Sequence, residues 1–435
     1  MNRLRILLLG PHCNPEEVSI PFVTYSHAAA LAHLHDVTLV AGEPVEAPLR
    51  RSNAPFRAIE VVRTPLLDRM FSWIFRKILK SNYDSQLRTA ISYPFCIAFE
   101  WQAWRQLRYR IVAGEFDVVL RLTPLTAVLP SPFAFLLRNQ PTPFVIGPIN
   151  GGLPWPPGFS QAKNQKQWIS GLRNVYRLLP FARSTYRRAA AIIVGSSQTF
   201  AEFASHREKL FFLPENGISS SLCSGTIRSR EAGTKLELIF VGGLVPRKAC
   251  DLALRAAAPI LRDDLATFTI VGDGPDRNRL EELTRSVGIA KAVSFCGWIS
   301  HAEVLGRLRS ADVLVFPSIR DFGGGVVFEA LALGVVPLVV DFGGPGDIVH
   351  PDVGFKVPLT NENEVVSQME RILADLAGNR DLLDRLRQRG MSYARERLTW
   401  EAKAESTTEV LKWVVLRGPK PSLLPPKLLH LQGAN

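Results

Sequence analysis

Short apolar runs recur along the chain, each closed by glycine, proline or a polar cluster. In the first half they are Leu4–Leu9, Asp36–Ala41, Phe116–Thr123, Phe144–Gly147 and Ala191–Gly195. In the second half they are Leu238–Val241, Thr269–Gly272, Val293–Phe295, Val313–Phe316 and Val336–Val340. Runs that are apolar throughout belong to strands covered on both faces, as in parallel sheets. Segments of helical period stand among them: Val23–Leu34, Asp251–Leu261, a helix ending near Ser310, and one opening at Val326. Ser300 and Glu303 give the helix that ends near Ser310 a capping-box start. Glu362–Leu376, Arg380–Leu398 and Trp400–Val415 close the pattern as helices. Strand and helix in alternation predict an α/β fold. At 435 residues the chain is long for one such domain, so two are expected.

The stretch Val313–Val349 carries the densest signal. An apolar run stops at Pro317-Ser318, Gly323-Gly324-Gly325 follow, and a helical run opens at Val326. A second apolar run ends at Asp341 before another glycine cluster. This is a βαβ unit whose glycine loop sits where a strand's carboxyl end meets a helix N-terminus. Bare N–H groups and the positive end of the helix dipole suit that place to an anion. Asp321 and Glu329 flank the loop, with seven residues between them. The alternative is a glycine-rich turn with two solvated carboxylates.

Charge changes the picture of the first half. The formal net charge is +12. Residues 1–205 hold 23 Lys and Arg against 12 Asp and Glu, whereas residues 206–435 hold 29 against 28. A basic first half suggests an anionic surface partner, and an anionic membrane is favoured over nucleic acid because basic residues are interleaved with large apolar ones. In Leu66–Lys80, Leu67, Met70, Phe71, Ile74 and Ile78 share one helical face, with Arg69, Arg76, Lys77 and Lys80 around them. That is either an interfacial helix or a core-facing helix with a basic outer face. Trp168–Arg188 has a similar composition. Five scattered cysteines without CxxC spacing point away from disulfides and zinc and toward a reducing compartment. No signal peptide is read at the start, and no run of about 18 apolar residues occurs. A cytoplasmic protein is expected, with peripheral attachment to the inner face of the membrane as its extension.

The stretch around Asp321 and Glu329 resembles the Glu-x7-Glu signature of retaining GT-B glycosyltransferases, most closely glycosyltransferase family four. The likeness extends over nearly the whole chain: Gly147-Pro148-Ile149-Asn150-Gly151-Gly152, Pro214-Glu215-Asn216-Gly217, and Gly242-Gly243-Leu244 with Lys248. It implies two Rossmann-like domains facing across a cleft, with the nucleotide held mainly by the second. The expected division is an acceptor-side domain 1–218, a linker 219–235, a donor domain 236–398, a helix 399–417 returning to the first domain, and a poorly ordered Pro-rich tail 418–435.

The resemblance also implies roles. Asp321, one methylene shorter than the usual Glu, lies near the donor sugar, and Glu329 binds the ribose hydroxyls. Gly323, Gly324, Gly325 and Val326 face the donor phosphates. Lys248 holds the diphosphate as it leaves. The Arg that usually assists it is replaced by Gly243, and Arg247 is a partial substitute. Trp298 and Ile299 lie against the nucleobase. On the acceptor side stand Asn150, Gly151 and Gly152, with Phe22 and Thr24 where relatives carry loop glycines. Arg121 occupies a place where relatives carry a His facing the sugar. It either holds an anionic acceptor group or is a surface arginine at a strand end. The implied reaction moves a hexosyl group from a nucleotide diphosphate sugar to a glycan or lipid-linked acceptor with retention. No metal and no cofactor are expected, since no Asp-x-Asp motif stands in a metal-binding context. A catalytically weakened protein that binds a glycan or a partner enzyme is the alternative, and a nucleic-acid binder lacks any recognised module.

Overall fold

The apolar runs form two parallel sheets. The structure is a computed structural model, and it describes residues 3–64, 85–153, 156, 159, 179–225 and 234–425. The first unit comprises the described residues up to Gly152, those from 179 to Glu215, and those from Trp400 onward. Its strands are β1 (Arg5–Leu9), β2 (Asp36–Gly42), β3 (Ala58–Val62), β4 (Val118–Arg121), β5 (Phe144–Ile149), β6 (Ala191–Val194) and β7 (Leu210–Phe212). Among the described residues they pair in the order β3-β2-β1-β4-β5-β6-β7, all parallel. Ile6 and Leu8 pack into one core and Leu7 and Leu9 into another, so this sheet is buried on both faces. That is the physical reason its strands read as unbroken apolar runs.

The second unit has β8 (Leu236–Val241), β9 (Ala266–Val271), β10 (Val293–Phe295), β11 (Val313–Phe316), β12 (Val336–Val340) and β13 (Phe355–Val357). Its order is β10-β9-β8-β11-β12-β13, again parallel. The helices Cys250–Arg262 and Glu362–Gly378 supply much of its core, with Leu252, Ala256, Val365, Met369 and Leu373 almost fully buried. The helix His301–Ser310 carries the expected capping box, with both Ser300–Glu303 bonds present.

The helix Trp400–Leu416 belongs to the first unit and packs along Ile20–Leu34. His27 Nε2 meets Thr407 Oγ1 at 2.9 Å and His35 Nε2 meets Thr408 Oγ1 at 2.8 Å. Burial holds the His27 imidazole well below its usual range, and the Lys403 charge adds to this. Lys403 is itself buried, donates to the Pro214 carbonyl, and is pushed down to about 7 by desolvation.

Several expectations need correction. The helix expected from Val23 begins at Ile20, because Pro21 is tolerated in a first turn. The helix expected to reach Leu398 stops at Tyr393, and Ala394–Leu398 winds as a π-helix. Leu153 and Phe159 belong to the second unit rather than the first. Arg320 Nε holds the Leu153 carbonyl at 3.1 Å, and Phe159 is buried in the second unit's core. The tail after Gly418 is placed as far as 425: Phe212 of edge strand β7 donates to the Leu423 carbonyl at 2.8 Å, and Lys420 to the Arg207 carbonyl at 2.9 Å. Leu66–Lys80 lies outside the described residues. Of Trp168–Arg188 the helix Ala182–Arg188 is described, with Arg183, Arg187 and Arg188 exposed. Among the described residues no helix is long and apolar enough to cross a membrane.

Candidate functional site

The second sheet reverses its strand order at β8 and β11. Loops leaving the carboxyl ends of two such neighbours turn to opposite faces and leave a crevice, the usual ligand place in open α/β sheets. Here those loops are Gly242–Ala249 and Pro317–Gly324. They are stitched together: the Ile319 N–H and the Ser318 hydroxyl both donate to the Arg247 carbonyl, at 3.0 and 3.2 Å.

Lys248 and Asp321 meet across this join. Lys248 Nζ bonds Asp321 Oδ2 and lies 4.8 Å over the Phe316 ring. The two side chains are 17% and 15% exposed, so the pair is sheltered yet open to a ligand. Asp321 also organises the glycine loop. Its Oδ1 accepts from the Gly324 N–H at 3.1 Å, and its carbonyl accepts from the Gly344 N–H at 3.1 Å. The loop tolerates no side chain at two points. Gly324 sits at φ 54° with any Cβ 2.9 Å from Pro345 Cγ, and a Cβ on Gly344 would stand 2.0 Å from the Phe322 carbonyl oxygen.

From this loop the helix Gly325–Ala332 runs inward, carrying Val326 and Glu329. Glu329 Oε1 accepts from His301 Nε2 at 2.8 Å. That bond raises the His301 imidazole above its ordinary range, against the opposing effect of burial. Sequence reasoning missed His301. It is 28 positions from Glu329, so local spacing carries no signal for the pair; the one available cue is its place directly after the Ser300 cap. Trp298, on the loop between β10 and this helix, is 73% exposed, and Ile299 packs partly against the core. The Arg247 side chain is exposed. A Cβ on Gly243 would meet nothing nearer than the Asp273 carbonyl oxygen at 3.9 Å, so the backbone there accepts a side chain's first atom.

The other expected residues lie in the first unit. Thr24 is buried, and its hydroxyl donates to the Ile20 carbonyl at 2.7 Å within the helix. Phe22 is exposed. Asn150 is buried and donates from Nδ2 to Glu215 Oε2 at 2.6 Å. The Gly151 N–H donates to Thr199 Oγ1 at 2.8 Å, and Gly152 follows it at the unit's boundary. The reading of Arg121 as a surface residue is overturned. Its side chain is fully buried at the end of β4, with Nε donating to Glu100 Oε1 at 2.7 Å. Glu100 takes a second bond from the Ser131 hydroxyl. Both terminal nitrogens of Arg121 are buried without a partner among the described residues. The structure therefore brings Lys248, Asp321, Gly323–Val326 and Glu329 into one region of the second unit. It places Arg121, Thr24 and Asn150–Gly152 in the first. Among the described residues no group of His, Cys, Asp and Glu is arranged to hold a metal.

The paired lysine and carboxylate, the sheet switch point and the glycine-bound helix start all lie within the stretch that a family model matches. The model of the family described as "Glycosyl transferases group 1" matches residues 227–395. Over that stretch the chain is similar to the group 1 glycosyl transferases. Lys248, Asp321, His301 and Glu329 all fall within the matched stretch. An uncharacterized glycosyltransferase of Methanocaldococcus jannaschii is 29% identical over 176 residues, 40% of this chain and 44% of that protein. A glycogen synthase of Mycobacterium tuberculosis is 33% identical over 204 residues, 45% of this chain and 46% of that protein. The chain thus spans under half the length of these curated relatives. The structure of Anabaena HepE in complex with UDP has a TM-score of 0.59 and 15% identity, covering 94% of this chain and all of that one. The likeness establishes the GT-B fold class: two units, each built on a parallel α/β sheet.

Proposed function

We propose that the chain is a glycosyltransferase that moves a hexosyl group from a nucleotide diphosphate sugar to a glycan or lipid-linked acceptor, with retention and without a metal. The observation that carries the reading is the Lys248–Asp321 pair at the β8/β11 switch point, beside the N-terminus of Gly325–Ala332. In this reading the donor diphosphate lies against Lys248 and the helix start. Both supply fixed positive charge where negative charge grows. The bond from the anomeric carbon to the β-phosphate oxygen breaks, and its electron pair stays on the diphosphate. The acceptor oxygen closes on that carbon, and its proton passes to the departing phosphate. Asp321 gives up its lysine to the phosphate and stands by the sugar. The UDP held by Anabaena HepE supports a uridine nucleotide as the donor. An anionic group on the acceptor is not supported by Arg121, whose side chain is fully buried and paired with Glu100. Peripheral attachment to an anionic membrane rests on the charge of the first half.

A thermal-shift screen of nucleotide sugars tests the reading, because a ligand that binds only the folded state raises its melting temperature. Stabilisation by one nucleotide class, followed by release of free nucleotide, is the expected result. Binding without turnover would favour the alternative, a catalytically weakened binding protein.

Two substitutions follow. Glu329→Ala should weaken nucleotide binding by roughly 1.5–3 kcal/mol, the worth of hydrogen bonds to a charged group, while leaving stability nearly unchanged. Unchanged affinity by calorimetry would remove Glu329 from the site. Gly243→Arg should raise turnover by roughly tenfold, since a second cation would face the diphosphate and its Cβ meets no clash. Steady-state kinetics with lower turnover in a normally folded variant would contradict the phosphate's position.

A further inference from the structure

The hydrogen bond between His301 and Glu329 has no part in the chemistry described above, yet it joins the two helices that border the donor region. We propose that His301 is a positioning residue for nucleotide recognition: its imidazole holds the Glu329 carboxylate so that the ribose diol meets an acceptor already oriented. This rests on the reading of the second unit as the nucleotide site and extends it.

The geometry supports a fixed brace. His301 is the first residue of His301–Ser310, and that helix start is locked by the reciprocal Ser300–Glu303 bonds. The imidazole therefore hangs from a rigid point. Its Nε2 reaches Glu329 Oε1 at 2.8 Å, while the Glu329 side chain keeps 21% exposure. Among the described residues, His301 is the only side chain to hydrogen-bond Glu329. A glutamate has several rotatable bonds, and freezing them opposes binding. An ionised carboxylate has about four acceptor positions. One bond to His301 leaves the others for two sugar hydroxyls. His301 lies outside the ligand contact itself, so its contribution passes through Glu329. The His301 bond should therefore matter only while Glu329 can accept it.

The experiment measures UDP affinity by calorimetry on the full chain, for the wild type and for His301→Ala, His301→Gln, Glu329→Ala and the double variant His301→Ala with Glu329→Ala. Gln at 301 retains an N–H donor of similar reach. The expected result is a roughly fivefold to tenfold loss for His301→Ala, recovery to within about twofold of wild type for His301→Gln, and no further loss when His301→Ala is added to Glu329→Ala, which has no acceptor left at that place. A normally folded His301→Ala with wild-type affinity overturns the assignment. So does an equal loss in both backgrounds, which would mark a structural role independent of the carboxylate. Absence of UDP binding by the wild type overturns the uridine nucleotide reading and this assignment together, whereas firm binding with an inert His301→Ala overturns this assignment alone.

Discussion

Lys248→Ala is expected to lower turnover by about 100- to 1,000-fold, the usual effect of removing one group that stabilises developing negative charge. Donor affinity should fall much less. In the bound donor the diphosphate already carries charge, and it gains more as the sugar departs, so the lysine's worth is greater in the transition state. The loss should be severe because Gly243 supplies no second cation and Arg247 is exposed beside the site. In the substituted protein Asp321 still accepts from the Gly324 N–H, so the loop should keep its shape. Turnover at saturating donor and dissociation constants by calorimetry separate the two effects. Equal losses in both would mean that Lys248 binds the ground state as strongly as the transition state. Normal activity would refute the assignment.

Asp312→Ala is expected to destabilise the second unit by about 3 kcal/mol, the cost of taking the buried partner from a buried charge. Asp312 is fully buried directly before β11. It bonds Arg387, lies 3.6 Å from Arg380, and accepts from the Glu237 N–H at 2.8 Å. Its own backbone joins β8 and β12: its N–H donates to the Glu237 carbonyl at 2.7 Å, and its carbonyl accepts from the Val336 N–H at 3.0 Å. Arg387 is 4% exposed and would keep only the solvent-exposed Asp384, 3.2 Å from its Nη1, losing the buried carboxylate that faces Nη2. Chemical denaturation gives the measurement. A loss below about 1 kcal/mol would show that water reaches Arg387 and replaces the carboxylate.

The two predictions differ in how far the sequence foresaw them. Lys248 and Asp321 stand on loops whose glycines and strand ends are visible locally, and their pairing follows from the strand order of a parallel sheet. Asp312 and Arg387 carry no local signal. They are 75 positions apart, and each reads as an ordinary polar boundary residue. The contact between His301 and Glu329 was likewise not legible, although Glu329 itself was, from the glycine loop it flanks. Arg121 was visible as a strand-end arginine, but its burial against Glu100 was not, because Glu100 comes from the helix Ser85–Val112, which the apolar pattern did not contain. Pro94 interrupts that helix in sequence, and its apolar residues are spread with little preference for one side. The short edge strands β3, β7 and β13 were also missed. β7 and β13 are three residues each, too brief for a period, and β3 is only partly buried along most of its length.

The sequence by itself determined the alternation of buried strands and helices, and hence two parallel α/β units. It also determined the glycine loop with Asp321 and Glu329 on its flanks. A strand covered on both faces must be apolar throughout, and Gly324, at positive φ and hard against Pro345, must be glycine. Tertiary structure alone decided which charges meet. It joined Lys248 to Asp321 by setting β8 beside β11, fixed Glu329 to His301 across two helices, and drew Arg121 and Asp312 into the cores with their counter-ions. It also placed Leu153 and Phe159 in the second unit and Trp400–Leu416 in the first. Such choices depend on contacts between residues far apart in the chain, whose energies are set by burial and geometry that no short window of sequence contains.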